Sequence, residues 1–138
     1  MKVVVDTNVI LSGVFFGGVP GRVLEAWRDG RFTLVLSAPI LAEYREAGAE
    51  FESEYGRSDF EAFAALMVVN SEIVDAPAHL PEQVCTDPDD DKFLACALAT
   101  GISVVVSGDK RLRAANGWSG IEILTPRQFL DRYVADSA

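Results

Sequence analysis

The stretch Lys2-Val3-Val4-Val5-Asp6 decides the fold of this chain. Consecutive β-branched residues without polar alternation are typical of a strand that is covered on both faces in a parallel sheet. Such a strand lies centrally, and here an acidic residue follows it directly. Because open parallel sheets bind ligands beyond the carboxyl ends of their strands, we predict that Asp6 lies at a functional edge.

Similar short apolar segments recur along the chain and alternate with helical stretches. This alternation predicts an α/β fold with a central parallel sheet of four to five strands. The predicted later strands cover residues 31–36, 71–74, 102–106 and 121–124.

The helices between these strands carry recognisable ends. Serine, aspartate or threonine before the first turn predicts a helix start, and glycine after the last turn predicts a stop. The predicted starts are at Ser37, Ser58 with Glu61, Asp87 with Pro88, and Thr125 with Pro126, and the predicted stop is at Gly101.

Several further expectations concern irregular segments and the core. The polar stretch 46–61 is predicted to be a loop between two helices, and 17–21 a flexible glycine-rich connection. The chain end after Val134 is expected to fray. In the helix after Asp87, an apolar line is predicted to face the core: Phe93, Leu94, Ala97 and Leu98.

Length and composition predict one compact domain over residues 1–138. The chain is 49% apolar and carries 12 basic and 21 acidic side chains, a formal net charge of −9. A chain of this length buries enough surface to fold without disulfides or a structural metal. No apolar run approaches the roughly 20 residues of a membrane span, and no leader pattern is visible, so we expect a cytoplasmic protein.

The scarcity of cysteine and histidine directs attention to carboxylates. Cys85 and Cys96 have the spacing of neither a metal knuckle nor a disulfide framework, and we interpret both as reduced thiols. The single histidine, His79, lies in a proline-flanked segment. One loop histidine does not readily supply a histidine-rich zinc site or a Ser-His-Asp triad.

Four acids are expected at the same edge of the sheet. Asp6 and Asp109 follow strands, Asp91 lies in the first turn of a helix, and Glu43 lies on an inward-facing helical line. Each of these acids taken alone is explained as a helix cap, a turn residue or a solvated side chain. Together they would repel one another unless a hard divalent cation such as Mg²⁺ or Mn²⁺ joined them, and such a site suits phosphodiester hydrolysis.

In order along the chain, Asp6-Thr7-Asn8, Ser37 with Glu43, the segment 87–94 and Ser107-Gly108-Asp109 resemble a PIN domain. The resemblance is to stand-alone prokaryotic toxins of toxin–antitoxin systems, which are related to VapC. It implies a three-layer α/β/α fold and a metal-dependent ribonuclease that leaves 5′-phosphate and 3′-hydroxyl ends.

Carried over to this chain, the resemblance also implies roles for individual residues. The catalytic set is Asp6, Glu43, Asp91 and Asp109, of which Asp6, Asp91 and Asp109 would hold Mg²⁺ or Mn²⁺. Asn8 and Ser107 would hold these ligands in position without contacting the ion themselves. Asp90 is the alternative to Asp91.

The predicted partners are an RNA substrate, a cognate antitoxin protein and a second copy of the chain. Because the net charge is negative, RNA binding is expected to be weak and salt-sensitive. It would depend on a basic collar formed by Lys92, Lys110, Arg111 and Arg113.

Two other functions stay open. A catalytically silent PIN-like module could bind RNA or protein without cleaving it. A phosphotransfer domain is disfavoured because Asn8 stands where a dehalogenase-type phosphatase needs aspartate. Asp75 could mimic a receiver phosphoacceptor, but Ala76-Pro77 follows it and no adjacent acid pair ends the first strand.

Overall fold

The central sheet has the predicted parallel arrangement. The computed structural model describes residues 1–57 and 59–134. Five strands lie in the order β3-β2-β1-β4-β5, and every neighbouring pair is parallel. The predicted segments 31–36 and 102–106 begin two residues too early. The strands are β1 (Lys2–Val5), β2 (Thr33–Ser37), β3 (Glu72–Val74), β4 (Val104–Val106) and β5 (Glu122–Leu124).

Helices cover both faces of this sheet. Two helices connect β1 to β2 and two connect β2 to β3, and right-handed crossovers place these four on one face. Helix α5 packs against β1 and β4 on the other face, which gives three layers. In the described residues the helices are α1 (Thr7–Phe15), α2 (Gly18–Arg28), α3 (Ala38–Tyr55), α4 (Phe60–Asn70), α5 (Asp91–Thr100), α6 (Lys110–Arg113) and α7 (Pro126–Phe129). Shorter 3₁₀ turns cover Pro88–Asp90 and Trp118–Gly120, and a π-helical turn covers Leu130–Val134.

Strand β1 is buried over its last three residues. Val3, Val4 and Val5 are at most 1% exposed, because β1 lies between β2 and β4 and is covered on both faces. Buried polar side chains gather at one end of the strands. They either end or follow a strand or begin α5, and in the described part of the chain they are Asp6, Thr7, Ser37, Asp91 and Ser107.

Most predicted helix ends are confirmed. Ser37 accepts a hydrogen bond from the Ile40 amide, and Asp87 accepts one from the Asp89 amide. Thr125 forms a reciprocal capping box with Gln128. Gly101 ends α5 in the left-handed conformation that favours glycine. The capping box predicted at Ser58 and the frayed tail at 135–138 lie outside the described residues.

The predicted loop at 46–61 is wrong over most of its length, because α3 continues to Tyr55. Aromatic packing explains the extension, since the Phe51 ring stacks on Phe15 at a centroid distance of 4.5 Å. Gly48 lies where α3 meets α4, and a Cβ there would come within 2.2 Å of the Phe60 ring. The acidic residues of this segment therefore form the outer face of an amphipathic helix.

Two smaller expectations are also corrected. Helix α2 begins at Gly18, so most of the predicted flexible connection 17–21 is helical. Leu98 is 49% exposed and does not belong to the core face of α5, whereas Phe93, Leu94 and Ala97 are completely buried. One turn separates Leu98 from Leu94, but only Leu94 is covered by the rest of the fold.

We find no single helix in residues 1–57 and 59–134 with the length and apolar composition needed to cross a membrane. The adjacent helices α1 and α2 meet these criteria only when combined, and they are bent by 97° relative to each other.

Candidate active site

The site forms where the strand order reverses, at the carboxyl ends of β1 and β4. The Asp6 amide donates to the Val106 carbonyl over 2.8 Å. The Ser107 hydroxyl donates to Asp6 Oδ2 over 2.6 Å and accepts from the Asp109 amide over 3.0 Å. Ser107 therefore fixes the two strand-end aspartates relative to each other, as is typical of a switch-point crevice.

Asp6 is an almost fully buried carboxylate, only 4% exposed. Burial, together with the nearby charges of Glu43 and Asp109, raises its pKa to about 6. The hydrogen bond from Ser107 partly offsets this effect. The ionised form of Asp6 is thus only partly stabilised by the protein itself.

Asp90 shares this environment. It lies in the 3₁₀ turn that precedes α5, and burial raises its pKa to about 7. Repulsion from Asp6, Asp87, Asp109 and Glu43 adds to the effect of burial. Asp90 therefore belongs electrostatically to the group of acids at the sheet edge.

Asp91 faces elsewhere, although it adjoins Asp90. Its carboxylate is 2% exposed and accepts hydrogen bonds from the amides of Val84 (3.1 Å) and Cys85 (2.7 Å). These bonds hold the irregular segment before α5 against the start of that helix. Of the two neighbouring aspartates, the structure brings Asp90 to the other site acids, and it commits both oxygens of Asp91 to the backbone.

Glu43 has two partners of its own. The Thr7 hydroxyl donates to one carboxylate oxygen, and Lys92 Nζ lies 2.7 Å from the other. The Lys92 side chain is only 14% exposed, so this predicted RNA contact is turned inward. Thr7 was not predicted as a partner of Glu43. Its position directly after Asp6 could have indicated that its hydroxyl lies at the edge of the sheet where the acids gather.

Sequence reasoning also missed Tyr44. This residue is completely buried, and its hydroxyl donates to the Val5 carbonyl at the end of β1. Burial raises the pKa of its phenol well above the usual value, so it stays neutral. Tyr44 attaches α3 to the strand that carries Asp6 and thereby sets the position of Glu43.

An open groove of about 680 Å³ lies beside Asp109. Lys110 and Arg111 line it together with Asn8. Asp109 caps α6 by accepting from the Arg111 amide over 2.9 Å. Arg113 differs from its neighbours, because its Nε is buried and has no hydrogen-bond partner within the described residues. Asn8 is exposed and makes no hydrogen bond to the site acids in that part of the chain.

The donor chemistry at this edge suits a hard divalent cation. Carboxylate oxygens are the ligands that Mg²⁺ and Mn²⁺ prefer. The raised pKa values of Asp6 and Asp90 show that burial, and then the charges of neighbouring carboxylates, disfavour the ionised forms of these two acids. Among residues 1–57 and 59–134, however, no three acidic, cysteine or histidine side chains are already arranged as metal ligands. Binding an ion would therefore require these side chains to close around it.

Comparison with known proteins agrees with this fold. The crystal structure of PAE2754 from Pyrobaculum aerophilum is similar in fold, with a TM-score of 0.61 and 18% identity, over 99% of this chain and 100% of that one. No curated protein sequence matches the chain. A family model described as PIN domain matches residues 2–111, which include all of the acids described above. Because this match spans most of the sequence, the chain belongs to the PIN domain family.

Proposed function

We propose that this protein is a metal-dependent endoribonuclease that hydrolyses RNA phosphodiester bonds. PIN domains are generally nucleases and typically depend on divalent metal ions. The observation that carries the proposal is the buried Asp6 at the switch point of the sheet, whose ionised form is repelled by neighbouring carboxylates. A catalytic cation would remove that repulsion.

In this proposal Asp6, Asp90 and Asp109 hold Mg²⁺ or Mn²⁺. Asp90 takes the role that the sequence suggested for Asp91, because the oxygens of Asp91 already accept backbone hydrogen bonds. When bound, a divalent ion supplies a water of lowered pKa and neutralises charge on the reacting phosphate. Ser107 orients Asp6 through its hydrogen bond. Thr7 and Lys92 hydrogen-bond to Glu43 and hold it at the same edge of the sheet.

The groove beside Asp109 provides an approach for the substrate backbone. Lys110 and Arg111 offer phosphate contacts there, next to the acids rather than among them. The net charge of −9 opposes RNA binding as a whole. We therefore expect weak, strongly salt-dependent affinity for single-stranded RNA and products with 5′-phosphate and 3′-hydroxyl ends.

The cleavage experiment compares the wild-type chain with Asp6→Asn and Asp90→Asn on a labelled single-stranded RNA. Each reaction contains Mn²⁺, Mg²⁺ or EDTA. Loss of the charge that holds the ion should reduce the cleavage rate by on the order of 10³-fold in both variants. Asp89→Asn is the matched control, because Asp89 is an exposed acid of the same turn. Equal cleavage by wild type and Asp6→Asn would rule out the proposed site.

A binding module without nuclease activity is the second candidate. One observation favours it: in the described part of the chain, no three acidic, cysteine or histidine side chains are already arranged as metal ligands. The same assay separates the two functions. Retention of RNA on the wild-type chain with no cleavage in Mn²⁺ or Mg²⁺ would support the silent module.

We further propose that the nuclease is the toxin of a toxin–antitoxin pair acting in the cytoplasm. The resemblance of the acidic motifs to stand-alone prokaryotic toxins supports this role, and it also underlies the predicted antitoxin and homodimer. Induced expression in a bacterial host should arrest growth for the wild type but not for Asp6→Asn at equal protein level. Equal growth of both strains would argue against a toxin.

A further inference from the structure

Lys92 occupies a setting unlike that of the other basic residues near the site. Its side chain is 14% exposed, and Nζ lies 2.7 Å from Glu43 Oε1 across the contact of α3 with α5. Lys110 and Arg111, by contrast, are exposed and line the open groove. A largely buried ammonium group is retained only where a partner balances its charge, and Glu43 is that partner.

The surroundings of Lys92 also disfavour contact with an RNA phosphate. The recess that contains Lys92 has a volume of about 410 Å³ and is lined by four acids, three apolar residues and Lys92 itself. A phosphate entering this recess would meet carboxylates before reaching the ammonium group, which opposes binding. The acids that line it are Glu43, Glu46, Glu50 and Asp89.

Glu43 is thereby set apart from the other carboxylates of the edge. Thr7 donates to one of its oxygens and Lys92 to the other, so both are engaged and its charge is balanced. Asp6 and Asp90 have no such internal cation among the described residues, and their pKa values are raised. The protein thus places one fixed positive charge beside one acid of the cluster.

We propose that Lys92 is a positioning residue that serves as a built-in counterion for Glu43 and is not an RNA contact. Together with Thr7, Lys92 holds Glu43 in place. Its positive charge also reduces the electrostatic attraction between Glu43 and a divalent ion bound by the neighbouring acids. This inference rests on the proposed metal-dependent function, because it concerns how strongly the same edge attracts the ion.

The test measures Mn²⁺ binding by electron paramagnetic resonance in Lys92→Met, Glu43→Gln and the double variant. Removal of the lysine charge should lower the half-saturating Mn²⁺ concentration by on the order of tenfold, because Glu43 then adds a free negative charge. Glu43→Gln should raise it, and the double variant should return close to the wild-type value. Lys92→Arg retains the charge and should stay within about twofold of the wild type.

RNA affinity provides the second measurement, made in EDTA to exclude cleavage. Lys92→Met should bind single-stranded RNA as the wild type does, whereas Lys110→Met should bind more weakly. Loss of RNA binding in Lys92→Met with unchanged Mn²⁺ affinity would overturn the inference in favour of an RNA contact. A lower melting temperature with both affinities unchanged would overturn it in favour of a purely structural ion pair.

The two proposals fail in distinguishable ways. If the wild-type chain binds no Mn²⁺ and cleaves no RNA, the proposed function fails and the inference fails with it. If the wild type binds Mn²⁺ and cleaves RNA, but Lys92→Met has the same Mn²⁺ affinity, only the role of Lys92 is refuted.

Discussion

Asp90 and Asp91 are neighbours in the sequence, yet their carboxylates lie in opposite electrostatic environments. Asp91 is buried and receives two backbone hydrogen bonds. Asp90 is partly buried among other acids, and its pKa is raised to about 7. The first arrangement stabilises the folded chain, and the second costs stability when Asp90 is ionised.

The same contrast extends across the sheet edge. Asp91 and Glu43, the compensated carboxylates, have donors or a cation for both oxygens. Asp6 and Asp90, the uncompensated carboxylates, have raised pKa values and close acidic neighbours. An acidic cluster thus contains both compensated and uncompensated members, and hydrogen-bond donors distinguish them. The predictions below test this division from the largest effect on free energy to the smallest.

Asp91→Ala should cause the largest loss of stability. Two buried amides would lose their acceptor and the segment before α5 would lose its attachment, so the free energy of unfolding should fall by about 3 kcal/mol. Urea denaturation in EDTA measures this change. Asp89→Ala, an exposed neighbour, should shift stability by no more than about 0.5 kcal/mol. Equal effects of the two substitutions would break the distinction between Asp91 and the surface acids of the turn.

Asp6→Asn should have the opposite sign. Without metal at pH 7.5, removing a buried and repelled charge should raise the free energy of unfolding by about 1–2 kcal/mol, while Ser107 can still donate to the amide oxygen. Asp90→Asn should give a gain of similar size, because its larger pKa shift is offset by its greater exposure. The measurement is urea denaturation in EDTA, and destabilisation by Asp6→Asn would show that Asp6 is compensated after all.

The metal-free protein should become more stable as the pH falls from 7.5 to 5.5. An acid whose folded pKa is raised binds its proton more tightly in the folded state, so its contribution is present at low pH and lost as pH rises through the folded pKa. For Asp6, with a folded pKa of about 6 against 3.8 unfolded, the change is about 1 kcal/mol over this window.

The double variant Asp6→Asn/Asp90→Asn controls for all other titrating groups in that experiment. Its stability should change less with pH than that of the wild type, as measured by thermal denaturation in EDTA. Parallel pH profiles for the two proteins would mean that the uncompensated carboxylates do not titrate in this range.

The smallest effect is expected beside the cluster, in the groove. Lys110→Ala should weaken RNA binding only slightly and should reduce the slope of log affinity against log salt by about 0.7, the contribution of one phosphate contact on a single strand. Filter binding in EDTA at several salt concentrations gives the slope. Arg113→Ala is the comparison, and we expect no slope change for it because its Nε is buried.

The prediction of the fold succeeded where local pattern and tertiary packing agree. The run Val3 to Val5 predicted a central strand, and β1 is central. The prediction of a loop at 46–61 was wrong because it rested on the acidic composition of the segment. The same segment carries an aromatic face that packs against α1 and α4, and this packing exists only in the folded protein. The prediction that Leu98 is buried was wrong for a related reason. Helical periodicity shows which side of a helix is apolar, but it does not show how far the neighbouring layer extends along that side.

The sequence predicted which acids form the candidate site. It did not predict which hydrogen bonds and ion pairs each of these acids makes. The carboxyl ends of parallel strands meet at one edge, so Asp6 and Asp109 could be assigned from sequence order. The choice between Asp90 and Asp91 depends on which carboxylate meets the amides of Val84 and Cys85. The pairing of Glu43 with Lys92 joins residues 49 positions apart, and no local pattern encodes it.

The sequence by itself determined the parallel sheet, the helix boundaries marked by capping residues, and the gathering of carboxylates at one edge. These features follow from interactions between residues that are close along the chain, or from the direction of the strands. Only the tertiary structure decided which carboxylates are neutralised and which remain exposed to one another's charge. That decision depends on the distances to donors and cations on other elements, and those distances exist only when the layers have packed.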